Sequence, residues 1–133
     1  MKSIVTSKND VPNKLILDAF YLRFVDAHNV EWSREDDVFE ALFSESGFEK
    51  IAKLNSCGKI IEISTNIKPE NLPLPIAERL KKHGVIMNVI LLDNLESGQK
   101  YEFIIKDVWK VRHLFITDML GNVLDHKNFE DLI

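Results

Sequence analysis

The chain has 133 residues, 45% hydrophobic and 29% charged, with a formal net charge of −4 and one cysteine. That composition excludes a disordered chain and a disulfide-stapled miniprotein, and the length predicts a single globular domain over residues 1–133 with a core of its own. Cys57, with no cysteine to pair with, and an N-terminal MKSIVTSKND without the apolar centre of a leader peptide, predict a cytoplasmic protein.

The charge is unevenly spread. Between Asp26 and Glu49 there are eight carboxylates (Asp26, Glu31, Glu35, Asp36, Asp37, Glu40, Glu45 and Glu49) against Arg34 alone, a local charge of −7. The flanking segments are positive. Such a field repels nucleic acid and attracts a basic partner.

In chain order, Ser3 to Thr6 reads as a short strand and Asn9-Asp10-Val11-Pro12 as a helix start. The helix runs to Val25 with apolar residues on nearly every face. Ser33-Arg34-Glu35-Asp36 has the spacing of a capped start to a second helix, whose apolar stripe is Val38, Phe39, Leu42 and Phe43. Asp36, Asp37 and Glu40 would form its solvent face. Gly47 breaks that helix, and Phe48 to Leu54 reads as a further short helical turn. Lys59 to Ile67 is a strand, and Pro75 to Lys82 a helix that Gly84 stops. Val85 to Leu92 is apolar except for Asn88, which predicts a central strand buried on both faces. Strand, helix and strand in that order suggest a right-handed parallel crossover. Lys100 to Asp107 alternates, with Tyr101, Phe103 and Ile105 on one face, and Val111 to Thr117 follows as a strand. Asp118 to Asn122 is a turn signal within a hairpin, and Asn128 to Ile133 closes as a short helix or docked tail. No internal repeat is evident. The expected fold class is α+β (mixed α/β): a central, mostly antiparallel sheet with one parallel crossover, packed by N-terminal helices.

No motif carries catalysis. His28, His83, His113 and His126 show no metal-ligand spacing, the five glycines are scattered singly, and Cys57 reads as an inert thiol. His28 and His83 fit helix ends. Trp109 reads as core, whereas Trp32, beside Glu31 at the head of the acidic segment, reads as an interface anchor. These residues predict a non-enzymatic protein, without cofactor or metal, whose acidic surface of Glu31, Trp32, Glu35, Asp36, Asp37 and Glu40 docks a basic protein partner. In concrete form it is an immunity- or antitoxin-type inhibitor of a toxic nuclease, monomeric or homodimeric, with neither nucleic acid nor membrane as partner. Two alternatives come from other classes. One is a dimeric secretion chaperone, and the other a Mg²⁺-dependent nuclease using Asp118, Asp125 and Lys127.

Overall fold

A computed structural model describes residues 11–128. The first-strand reading of Ser3 to Thr6, the start at Asn9-Asp10 and the closing segment beyond Asn128 lie outside the described residues. Among the described residues there are eight strands, neighbours in chain order within two groups of four: β1 (His28–Glu35), β2 (Val38–Glu45), β3 (Phe48–Asn55) and β4 (Ile60–Ile67), then β5 (Val85–Asn94), β6 (Gly98–Lys106), β7 (Arg112–Thr117) and β8 (Val123–Asn128). Strand pairing is antiparallel and, among the described residues, two short α-helices accompany the strands, so the fold is mainly β. The expected α+β class and its parallel crossover are therefore corrected. Strand-helix-strand order alone does not distinguish a parallel crossover from a connection in an antiparallel fold.

The chain divides into two compact units, the first holding residues up to Thr65 with Asn94–Ser97, the second Asn66–Asp93 with the residues from Gly98 onward. In the first, α1 (Lys14–Arg23) begins at Asn13, whose Oδ1 accepts the backbone N–H of Ile16 at 3.1 Å. Ile16, Phe20 and Phe24 follow at intervals of four and so share one helix face. They are buried against Trp32, Phe39, Ala41, Phe43, Ala52, Leu54 and Ile63. Phe20 is the hub, with the rings of Phe43, Trp32 and Phe24 at 4.9, 5.1 and 5.1 Å.

The segment read as an acidic helix is the β1–β2 hairpin, and Phe48 to Leu54 belongs to β3. Val38, Phe39, Leu42 and Phe43 satisfy a helical spacing, but Phe39, Ala41 and Phe43 also satisfy a period of two, and those three are the buried ones. Tight turns decide between the readings. Ser46 and Gly47 both take positive φ (53° and 83°), as the type I′ turn of a two-residue hairpin requires. Asp36 sits at φ 53°, which a short polar side chain tolerates.

In the second unit a 3-10 turn (Pro69–Asn71) leads into α2 (Leu74–Lys81). Ile76, Ala77 and Leu80 of that helix are buried with Leu72, Val89, Tyr101, Phe103, Ile105 and Phe115. Tyr101, Phe103 and Ile105 alternate inward, as their sequence pattern predicts. In β5 only Val89 is buried, and Val85 and Met87 are exposed, so the strand is not buried on both faces as expected.

Each unit is thus a helix followed by four antiparallel strands, and the buried positions recur. Ile16 and Phe20 of α1 correspond to Ile76 and Leu80, sixty residues later; Phe39, Ala41 and Phe43 of β2 correspond to Tyr101, Phe103 and Ile105 of β6. The repeat lies in the pattern of burial, not in residue identity, which is why no repeat is visible in the sequence.

Candidate partner-binding surface

Cross-strand partners share a face of a sheet. In the first unit one face carries Trp32, Ala41 and Ala52 toward α1; the other carries Glu31, Leu42, Ile51 and Ser64 in one row and Ser33, Glu40, Lys53 and Glu62 in the next. Among the described residues the helix of this unit, α1, packs on the first face and not on the second. Glu31, Glu35, Asp36 and Asp37 are exposed on the β1–β2 hairpin, the last two forming its turn. Glu40 is half-buried, in register between Ser33 and Lys53.

Arg34, the one cation of the acidic segment, does not answer these carboxylates. It pairs with Phe39 on the helix-facing side, its guanidinium 5.2 Å from the Phe39 ring centroid and its Nε donating to the Asp36 carbonyl at 2.8 Å. Lys53 stands among the acids and is engaged by Glu62 at 3.4 Å. Beside them lies an open cleft of about 360 Å³ lined by Glu35, Asp36, Val38, Lys53, Ile61 and Glu62. Apolar walls with carboxylates at the rim suit the stem and head of a long basic side chain.

Trp32 is not part of this surface. It is 8% exposed and packs edge-on against Phe20. Trp109, read as core, is 81% exposed. The two tryptophans exchange the roles expected of them, because Trp32 follows the inward alternation of β1 while Trp109 falls in the turn between β6 and β7.

The nuclease constellation is not assembled. Asp118 organises the β7–β8 turn: Oδ1 accepts the N–H groups of Leu120 and Asn122 at 2.9 Å each, and Oδ2 accepts from the Asn122 side chain at 2.9 Å. Those bonds, the Asn122 side chain first, hold its carboxyl below the usual range. Asp125 pairs instead with Lys127 at 3.7 Å. Among the described residues no three His, Cys, Asp or Glu side chains form a metal-binding group.

A polar chain that sequence spacing does not reveal runs through the second unit. His113 Nε2 lies 2.8 Å from Asp107 Oδ2, and His113 Nδ1 lies 2.9 Å from His126 Nε2. When Asp107 accepts the His113 Nε2–H, Nδ1 of that imidazole is left to accept the His126 Nε2–H. The bond to His113 comes first in holding the Asp107 carboxyl below its ordinary range, helped by the N–H groups of Val111 and Trp109. His126 stacks on Phe115 at 4.2 Å, as their pairing across β7 and β8 requires. The signal for this chain was the hairpin register, which places His126 and Asn128 beside Phe115 and His113.

No family model matches the sequence, and no curated protein does. Solved structures do match the fold. A BLIP-like protein from Bacteroides fragilis is 17% identical, with 90% of this chain and 87% of that one covered and a TM-score of 0.78. The two chains share a fold. A DUF2874 family protein from Bacteroides ovatus matches at 19% identity, 92% and 91% coverage and a TM-score of 0.81. A protein from Bacteroides eggerthii, described as periplasmic, matches at 15% identity, 91% coverage of both chains and a TM-score of 0.80. That description of a structural neighbour overturns the cytoplasmic expectation. The physical basis of that expectation was weak, since one cysteine cannot form an internal disulfide in any compartment.

Proposed function

We propose that the protein is a non-enzymatic binding protein whose β1–β2 hairpin docks a basic protein, in its most concrete form an inhibitor of immunity or antitoxin type that covers a toxic nuclease. The observation that carries the reading is the exposure of Glu31, Glu35, Asp36 and Asp37 on one hairpin while Arg34 is turned away onto Phe39. Clustered like charge is repulsive until a basic surface meets it. The adjoining cleft gives a lysine or arginine of the partner a seat between Val38, Ile61 and the carboxylates. The likeness to a BLIP-like protein supports a binding rather than a catalytic fold.

The test begins with capture of the partner at low salt from the native host and proceeds to association kinetics with Glu35, Asp36 and Asp37 all reversed to lysine. All three are exposed, so the substitutions leave the core intact. Association is expected to slow by about tenfold or more and to lose most of its salt dependence. An unchanged association rate and salt slope would place the docking surface elsewhere.

A further inference from the structure

The turn between β6 and β7 has the opposite character to the acidic hairpin. Val108 and Trp109 at its tip are 84% and 81% exposed, and Lys106, Lys110 and Arg112 flank them. Two more cations adjoin. A Cβ on Gly84 would fall on the Lys106 carbonyl oxygen, with Asp107 Cα 3.1 Å away, so the end of α2, with Lys81 and Lys82, lies against the base of this turn. Among the described residues, Asp107 at the turn is already engaged by His113 and the turn's own N–H groups, and Glu70 shares a 470 Å³ cleft with Lys81, Gly84 and Val85.

The tip is held in place. Asp107 Oδ1 accepts the N–H groups of Trp109 and Val111 at 2.8 and 3.0 Å, and Asp107 N–H donates to the Val111 carbonyl at 2.9 Å. Its two apolar side chains are therefore presented outward by a bonded backbone, which lowers the entropy lost on docking. A tryptophan that anchors a protein interface usually sits near its centre, ringed by contacts that exclude water. Here a narrow apolar tip rises from a skirt of five cations, an arrangement suited to a surface that is soft, apolar below and anionic above.

We propose that the Val108–Trp109 tip docks on an anionic lipid surface, with Trp109 at the headgroup level and Lys106, Lys110, Arg112, Lys81 and Lys82 against the phosphates. The contact is peripheral, and it departs from the expectation that no membrane is a partner.

The chain supplies its own probe. Of its two tryptophans Trp32 is buried and Trp109 exposed, so a change in tryptophan emission on docking reports the tip. With vesicles of phosphatidylcholine containing about a third phosphatidylglycerol, the emission is expected to shift to the blue and the protein to sediment with the vesicles. Pure phosphatidylcholine should give neither, and high salt should reverse both. The Trp109→Phe variant should lose the emission shift. The Lys110→Glu/Arg112→Glu pair should weaken sedimentation by about tenfold or more. Absence of a shift with anionic vesicles overturns the proposal. So does a shift with polyglutamate but not with vesicles, which would make the tip a site for an acidic polypeptide.

Discussion

At the scale of single residues, the second unit is held at one edge by an ionised carboxylate. Asp107 ties the β6–β7 turn to His113 and through it to His126. Its carboxyl is shifted below its ordinary value of 3.8, chiefly by the His113 hydrogen bond. A carboxylate depressed by folding stabilises the native state above its unfolded pKa, and that stabilisation is lost as pH falls through 3.8 toward the lower folded value. Asp107→Asn should therefore lower the urea midpoint at neutral pH. Wild type and variant should converge as the pH drops below the ordinary carboxylate range. Equal midpoints at neutral pH would mean that the turn is held without this charge. Asp118 is depressed in the same direction by Asn122, but its bonds close within its own turn.

At the scale of elements, glycines show how backbone and packing differ as constraints. Gly47 takes φ 83° at a hairpin tip with nothing within 4 Å of an added Cβ; Gly84 takes φ 143° with the Lys106 carbonyl in the way and its carbon 2.9 Å off. Gly47→Ala should cost about 1–2 kcal/mol, the left-handed penalty alone. Gly84→Ala should cost about 3 kcal/mol or more, because backbone must also move. Urea unfolding of both variants measures the difference, and similar values would mean that β5 and β6 yield easily at this end. The same turns explain what could be read in advance. The strands at Ile60–Ile67, Val85–Asn94, Gly98–Lys106 and Arg112–Thr117, both helices and the Asp118–Asn122 turn were legible because period and punctuation agreed. In β1 to β3 they conflicted. Ser33 to Asp36 imitates a capping box, and Ala41, small and weakly apolar, hides the alternation of Phe39 and Phe43. The acidic site was legible as charge but not as shape, and Trp32 was misplaced because its face follows from β1, not from its acidic neighbours.

At the scale of the whole molecule, the recurrence of one helix and four strands means that the chain builds two buried clusters, not one. Ile16, Phe20, Phe24 and Phe43 belong to the first; Ile76, Leu80, Phe103 and Phe115 belong to the second. Each cluster draws its helix and strands from its own unit, so local openings should respect that division. Phe20→Leu and Phe103→Leu each remove ring contacts from one cluster and should destabilise by about 1–3 kcal/mol, at the low end for core aromatics because leucine refills part of the space. Under native conditions Phe20→Leu should speed hydrogen exchange in β2 and β3 more than in β6 and β7, and Phe103→Leu should do the reverse. If either variant accelerates all these strands equally, the chain opens as one cooperative unit, and the repeat is then an architectural pattern without a matching division of stability.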